Sequence, residues 1–485
     1  MNEINIRALV VDSMIELEKT DTYLSVEESA VLDKYDHIDP RDKSFYKKIM
    51  DGTSEYRLRI DYILDQYSKT PVSRMKPMIR AILRMSVYQL IWMDAVPDSA
   101  VCNEAVKLTT SRGLSGLKGY VNGVLRNISR NKDNIRYPSK TDDRIRYMSV
   151  MYSCPEWIVR QLSDEHGTDR AESILASYME EKRLSVRIRI DDGERRQALI
   201  SSWTEAGIEV SPNPHIPDGM FLKNTGSVSE MAGYADGSFV VQDTGSMMVS
   251  ELAGAHSGDI VMDLCAAPGG KSVHIADALC KPGRGADPAG GSQTSHVYSY
   301  DISASRCDRM TENIRRLDME DMITAEVHDA TVFIPDMEGK ADIVIADVPC
   351  SGLGVLGHKS DIRYRLKPSD IDSLVGLQRS IIDTAVRYVR PGGKLVYSTC
   401  TISRRENEDQ AAYIMEKYGF RDITGTALAE SEIIPPEGYT RMPDSGDSGT
   451  PDSAPGLRIL PDTWESDGFY ICVLARQMYD AGSAL

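Results

Sequence analysis

The sequence predicts a multidomain chain in three parts: an all-α N-terminal domain over residues 1–135, a small α/β module over 141–235, and a Rossmann-like, doubly wound α/β domain over 236–485. Three observations lead to this. The first 135 residues carry helical periodicity and no convincing alternating strand. The stretch Asn131–Asp143 (NKDNIRYPSKTDD) is polar and contains Pro138, as a linker would. From Gly237 onward, strand, turn and helix patterns alternate, the order that winds a mostly parallel sheet.

In the first part, Arg74 to Met93 sets Met75, Ile79, Ile82, Leu83 and Leu90 at three- and four-residue spacings, with Arg80 and Arg84 on another face. A second helix over Lys118–Arg130 turns Leu117, Val121, Val124 and Ile128 inward and Arg126 and Arg130 outward. These arginines suit either a solvated face or an RNA contact. The middle module opens helically around Pro155–Leu162 and continues with LSVRIRI (Leu184–Ile190), which alternates as a half-buried strand does. Its Arg183, Arg187 and Arg189 again fit solvent or nucleic acid. In the third part the expected strands are Ile260–Cys265, His296–Asp301, Ile323–Asp329, Asp342–Val348, Lys394–Cys400 and Phe469–Ala475. Lys281–Ser295 and Pro443–Gly456, rich in Gly, Pro, Ser and Asp, read as surface loops.

Composition narrows the classes. Hydrophobic residues at 41% and charged residues at 27% describe a globular chain rather than a disordered one. No apolar run approaches a membrane span, and the start MNEINIRALVVDSMIELEK lacks a signal-peptide pattern, so a cytoplasmic protein is expected. The eight cysteines form no C-x-x-C pattern, which points away from a zinc cluster or disulfide framework and towards reactive thiols; no metal is expected. A net charge of −17 argues against wholesale nucleic-acid binding, but it is uneven. Residues 1–140 hold 22 basic against 19 acidic side chains, leaving 34 against 54 for the rest.

The run DLCAAPGGKS (Asp263–Ser272) is a strand end, small residues, two glycines and a helix start. A nucleotide-triphosphate P-loop needs a glycine where Cys265 stands, and a dinucleotide site needs G-x-G-x-x-G where Gly269 and Gly270 are adjacent. What remains is a ligand requiring close backbone approach and helix N-terminal amides without a pyrophosphate. The carboxylate of S-adenosylmethionine fits that description. Carboxylates at successive strand ends agree: Asp301 for the ribose hydroxyls, Asp329 near the adenine edge, and Asp347 deeper in the crevice. A single such carboxylate often does no more than cap a helix.

Cys350, in DVPCSG, and Cys400, in YSTCTISRRENE, each follow an expected strand, so two thiols distant in sequence face one crevice. Ser403 and Glu406 have capping-box spacing, which would start a helix just beyond Cys400, with Arg404 and Arg405 adding positive charge. A thiolate beside a methyl donor has a natural task. Cytosine C5 becomes nucleophilic once a thiolate adds to C6, and Asp347 is placed to hydrogen-bond the base. Cys102, Cys154, Cys280, Cys307 and Cys472 read as buried small hydrophobes. After Cys350, the cluster Lys359, Arg363, Arg365 and Lys367 around Asp361 and Tyr364 reads as a phosphate-holding RNA contact. Spacing alone leaves open which thiol attacks.

At this point the residues resemble a known family, the bacterial ribosomal-RNA cytosine-5 methyltransferases of the RsmB (Sun/Fmu) type. VPDSAVCNEAVKL (Val96–Leu108) and KGYVNGVLRNISR (Lys118–Arg130) resemble the paired helices of a NusB-like domain. GSFVVQDTGS (Gly237–Ser246), DLCAAPGGKS, DVPCSGLGVL (Asp347–Leu356), SDIRYR (Ser360–Arg365), YSTCT with RRENE, and TWESDGFY (Thr463–Tyr470) resemble the family's motifs in order. The resemblance implies a NusB-like RNA-binding front, an RRM-like middle module and a methyltransferase domain acting on 16S ribosomal RNA as a monomer, with no membrane and no metal. It implies that Cys400 is the nucleophile and Cys350 the thiol that assists product release. DNA cytosine methyltransferases, whose nucleophile follows a proline, would nominate Cys350 instead. Cys265, Ala266, Ala267, Pro268, Gly269, Gly270 and Lys271, with Asp301, Asp329 and Asp347, would surround S-adenosylmethionine. Gly357 and His358 stand where relatives commonly carry basic residues, and Arg189 where an Asn often ends the middle strand. Methylation of transfer RNA, an RNA-binding or antitermination module with an inactive catalytic half, and a small-molecule methyltransferase are the competing readings.

Overall fold

A computed structural model describes residues 4–20, 22–35, 37–280, 295–437, 439 and 454–478. The two expected surface loops fall outside the described residues except at their ends. The chain divides into two units, one of residues 1–180 with Leu356–Leu366, the other of 181–355 with 367–485.

The first unit is helical. Its helices include Ile6–Thr20, Pro40–Glu55, Arg57–Tyr67, Pro77–Trp92, Asp98–Ser111 and Lys118–Arg130. Pro77–Trp92 opens on a proline, whose missing amide hydrogen costs nothing in a first helical turn. It is buried along most of its length, with Ile79, Ile82, Leu83, Met85, Val87 and Leu90 packed in one core with Ile49, Ile63, Val101, Val121 and Leu125. Each such fully buried aliphatic side chain contributes roughly 1.5–3 kcal/mol. Because this helix is central, its polar face is not solvated. Arg84 is buried and donates to both Asp61 oxygens at 2.7 Å and to Glu18 at 3.0 Å, while Arg80 donates to Glu18 at 2.6 Å. Both arginines, expected at an RNA surface, are engaged in internal ion pairs. Lys118–Arg130 follows the expected pattern, with Val121, Val124, Leu125 and Ile128 buried and Arg126 and Arg130 exposed.

Three more helices, Arg144–Met151, Glu156–His166 and Thr168–Ser177, belong to this unit, whereas the sequence reading set a boundary at 135–141. The attachment is specific: the amide of Leu58 donates to Ser153 Oγ at 2.9 Å. The segment after Cys350 also packs here. Arg363 is buried and donates to the carbonyls of Leu356 at 2.6 Å, Tyr152 at 3.1 Å and Ser153 at 3.3 Å. Arg365 donates to the Thr22 carbonyl at 2.6 Å and lies over the Tyr23 ring, and Asp361 accepts the amide of Leu24 at 3.0 Å. A guanidinium carries enough donors to satisfy several turn carbonyls at once. Arg363 and Arg365 therefore fasten a loop, and of the four basic residues expected to hold phosphate there, Lys359 and Lys367 are exposed.

The second unit begins with an antiparallel sheet of β1 (Leu184–Ile188), β2 (Glu209–Pro212), β3 (Gly219–Lys223) and β4 (Phe239–Val241), in the order β2-β3-β1-β4. Val186, Ile188, Leu222 and Phe239 pack against Leu199 and Trp203 of helix Gly193–Glu205. Of the strand arginines, Arg187 and Arg189 are withdrawn from solvent, and all three are paired. Arg187 and Arg189 both pair with Asp277, at 2.6 and 2.8 Å, and Arg183 pairs with Glu465 at 3.0 Å.

The large sheet comprises β5 (Ile260–Asp263), β6 (His296–Asp301), β7 (Ile323–Val327), β8 (Ala341–Asp347), β9 (Val389–Thr399), β10 (Arg421–Asp422), β11 (Leu457–Ile459) and β12 (Phe469–Ala475). Its order is β10-β12-β9-β8-β5-β6-β7, with β11 paired to β12. Strands β5 to β9 run parallel, while β12 is antiparallel to β9, so the sheet is mixed. Successive residues enter opposite cores: Val261, Ile343, Ile345 and Val396 one, Met262, Val344, Ala346, Leu395 and Tyr397 the other. Coverage on both faces is why these strands read as continuous apolar runs. The order reverses at β5, which opens a crevice at the carboxyl ends of β5 and β8.

One buried histidine gives a pH prediction. His274, on helix Gly270–Cys280, lies 3.1 Å from Glu251; burial, aided by Arg187, pushes it down to about 4 against the opposing pull of Glu251 and Asp277. Between about 6.5 and 4 the unfolded chain takes up a proton that the folded chain refuses, so stability falls as pH falls through that window. The urea midpoint is expected to drop between pH 7 and pH 5, and to drop less in His274→Gln. Equal drops in the two proteins would remove His274 from the account.

Candidate active site

The site is assembled at the strand ends. β5 finishes on Asp263, fully buried, whose Oδ2 accepts Ser272 Oγ at 2.8 Å; burial pushes its carboxyl up to about 6. The loop Cys265–Gly269 then feeds helix Gly270–Cys280. Gly269 has φ +97°, and a Cβ there would meet Met310 at 2.9 Å, so the turn requires glycine. Burial pushes the Cys265 thiol far up, which disfavours its thiolate.

Asp301 ends β6 and is 3% exposed; Oδ1 accepts the amide of Ser303, and Oδ2 pairs with Arg306 at 3.2 Å. Arg306 also donates to the Ala267 carbonyl at 2.6 Å, tying the glycine loop to that acid. Asp329 uses Oδ1 to accept the amide and hydroxyl of Thr331, at 2.9 and 2.7 Å, the turn-capping role that a lone strand-end acid often has. Asp347 ends β8. Its Oδ2 accepts Lys271 Nζ at 2.7 Å and its Oδ1 accepts Ser398 Oγ at 2.8 Å. Burial works against the Lys271 ammonium, yet Asp347 outweighs it and holds the lysine above its ordinary value. Ser246 lies 3.2 Å from the same ammonium.

These residues fit S-adenosylmethionine. The amides at the start of helix Gly270–Cys280 suit its carboxylate, and Asp301 suits the ribose hydroxyls. Ile302, 66% exposed despite being apolar, and the exposed Val327 offer an uncovered face to a ring.

The two cysteines meet. Cys350 Sγ and Cys400 Sγ lie 3.3 Å apart although fifty residues separate them, because β8 and β9 are paired and both loops turn at the same sheet edge. The Cys400 sulfur and burial push the Cys350 thiol well up. Gly354 permits the approach: its amide donates to the Cys400 carbonyl at 3.1 Å, and a Cβ there would sit 1.9 Å from the Gly468 carbonyl oxygen. The expected capping box at Ser403 and Glu406 is not formed. Ser403 makes no side-chain cap, the longer helix starts at Glu408, and Glu406 turns inward. Arg404 and Arg405 pair with Asp409 and Asp372 at the surface. Sequence reasoning missed Arg306, Ser398, Ser246, Ser351 and Gln378; Ser246, Ser351 and Ser398 lie inside motifs already singled out.

A mixed sheet of this order, with a glycine loop after its central strand and an acid at the end of the next, defines an S-adenosylmethionine-dependent methyltransferase. Residues 251–475 match the family model for 16S rRNA methyltransferase RsmB/F, residues 4–130 the NusB family, and 154–229 the ferredoxin-like domain of RsmF/B-like methyltransferases. Over its successive parts the chain is similar to RsmB/F methyltransferases that carry a NusB domain. It is 29% identical over 479 residues to a probable ribosomal RNA small subunit methyltransferase B of Bacillus subtilis, covering 98% of this chain and 100% of that one. It is 28% identical to a protein of the same description from Synechocystis, with 98% and 100% covered. The crystal structure of PH0851 has a similar fold, with a TM-score of 0.73 at 21% identity over 97% of this chain and 99% of that one. NSun6 from Pyrococcus horikoshii with SFG gives a TM-score of 0.52 at 21% identity, over 66% and 98%. Among the described residues no helix is long and apolar enough to cross a membrane, and no cluster of three or more His, Cys, Asp or Glu is arranged to hold a metal.

Proposed function

We propose that this methyltransferase modifies C5 of a cytosine in small-subunit ribosomal RNA, through a transient bond from Cys400 Sγ to C6 of the base. The observation that carries the reading is the thiol pair, two sulfurs 3.3 Å apart beside the Lys271–Asp347 pair. One thiol is enough to be a nucleophile; two at one place suit a reaction that must form a carbon–sulfur bond and later break it. Cys400, as thiolate, adds to C6, and the displaced electron pair makes C5 enamine-like. Asp347 accepts from the exocyclic amine of the base and orients Lys271, whose ammonium stabilises the negative charge gathered on the ring. S-adenosylmethionine, when bound, supplies a methyl carbon on a sulfonium for that carbon. Cys350 assists the second half: the C5 proton is lost to solvent, its electron pair re-forms the C5–C6 double bond, and the Cys400 sulfur leaves C6 with the electrons of the C–S bond.

Ribosomal RNA as substrate is supported by the description of the family and of the relatives, and by the exposed Arg126 and Arg130 on a NusB-type helix. The test is to digest small-subunit RNA after reaction with isotopically labelled S-adenosylmethionine. Label in 5-methylcytidine is expected. Label in another nucleoside, or in transfer RNA alone, would overturn the reading. The RNA contact has its own test: Arg126→Ala with Arg130→Ala should weaken RNA binding and flatten its salt dependence, each lost phosphate contact lowering the log–log slope by about 0.7–0.9. An unchanged slope would take both residues out of the RNA surface.

A further inference from the structure

Glu406 is a fully buried carboxylate with no ion pair among the described residues, a costly arrangement unless its acceptors are filled. Its hydrogen bonds all come from the cysteine loops and one helix. Oε1 accepts the Ser351 amide at 2.8 Å and Gln378 Nε2 at 3.1 Å, and Oε2 accepts Ser351 Oγ at 2.5 Å and Thr401 Oγ1 at 3.5 Å. Ser351 follows Cys350 and Thr401 follows Cys400; their hydroxyls are also 2.8 Å apart. Gln378 Nε2 donates in addition to the Pro349 carbonyl at 3.0 Å, so both sides of Cys350 are held. The far side of Glu406 is anchored by the Tyr397 hydroxyl, which donates to its carbonyl at 2.6 Å.

We propose that Glu406 is a positioning residue: its carboxylate clamps the loops bearing Cys350 and Cys400 at their working separation and sets a negative charge on the Cys350 side of the pair. The inference rests on the cytosine-5 reading above. Two adjacent thiols cannot both ionise readily, so some asymmetry must decide which one carries the charge. A fixed carboxylate on the Cys350 side, itself raised by burial, disfavours the thiolate at Cys350. The other titratable groups facing the pair are Asp347, Lys271 and Tyr397.

The test uses the full chain with ribosomal RNA and compares Glu406→Gln, which keeps the reach and loses the charge, with Glu406→Asp, which keeps the charge and loses the reach. Cofactor affinity and thermal melting report folding, and Ser351→Ala removes one of the donors, the hydroxyl on Oε2, should either Glu406 variant fail to fold. In Glu406→Gln, kcat is expected to fall tenfold or more at unchanged KM for S-adenosylmethionine, and the acid limb of the rate profile to move to lower pH, because removing a negative charge makes the thiols easier to ionise. In Glu406→Asp, kcat falls with the limb at its original pH, and Ser351→Ala shows a smaller loss of kcat. A role in folding alone would leave the profile in place. Cys350→Ala is run alongside for its covalent RNA adduct. If that adduct forms while the folded variants keep wild-type kcat and profile, the role of Glu406 is overturned alone; if it does not form, the cytosine-5 reading falls and this inference with it.

Discussion

Cys400→Ala is expected to lose methyl transfer by a factor of about 10⁴ or more, the scale on which removal of a covalent nucleophile acts. S-adenosylmethionine binding should survive, because the glycine loop and Asp301 belong to other strand ends. Cys350→Ala should behave differently. Its bond-forming step is intact, so a single turnover of methyl transfer proceeds while release of the base slows, and multiple turnovers fall far more than the first. Rapid-quench measurement of the first turnover against the steady state checks this. Equal loss of both phases in Cys350→Ala, with Cys400→Ala active, would exchange the roles of the two thiols.

The second large effect is expected at Asp347. Its two oxygens are taken by Lys271 and Ser398, so it is oriented before any substrate arrives. Asp347→Asn should lower kcat by about 10²–10³, the loss typical of removing one preorganised electrostatic partner. It also deprives a mostly buried ammonium of its counter-ion, which should cost about 2 kcal/mol of stability, less than the full penalty for a wholly buried pair because both groups keep some exposure. Lys271→Met should show similar losses, and the double variant should lose much less than the two single effects together. Additive losses in kcat, read with stability measured separately, would mean that lysine and aspartate act independently.

The placement of the candidate site was largely legible in the sequence because its residues lie at strand ends, and strand ends are visible. A continuous apolar run stopping at Asp263, Asp301 or Asp347 marks both the element and the edge where a crevice opens. Cys350 and Cys400 were legible for the same reason; two runs of parallel-sheet character placed both thiols at one edge before any distance was known. The partners of long side chains were not legible. Arg84 finds Asp61 and Glu18, and Arg187 and Arg189 find Asp277, across 23 to 90 residues of chain, and only the packed core brings them together. Local charge pattern assigned those arginines to solvent or RNA, when each is drawn inward by a carboxylate on another element. Glu406 shows how a local rule fails: its spacing from Ser403 satisfies a capping box, yet donors from Ser351 and Gln378 compete for the same carboxylate and prevail. The helices between 144 and 177 were set with the middle module because a polar, proline-containing stretch precedes them. They pack with the helical unit, through the bond from Leu58 to Ser153 among others, while residues 154–229 match a ferredoxin-like domain.

The central claim is that Cys400 joins the base and Cys350 frees it. Wild type, Cys350→Ala and Cys400→Ala incubated with small-subunit ribosomal RNA and S-adenosylmethionine, then denatured and run on a gel, test it most directly. A protein–RNA band that survives denaturation and accumulates in Cys350→Ala, is faint in wild type and is absent in Cys400→Ala is the predicted result. A band in Cys400→Ala but not in Cys350→Ala, or no band in any of the three while methyl transfer proceeds, would contradict it.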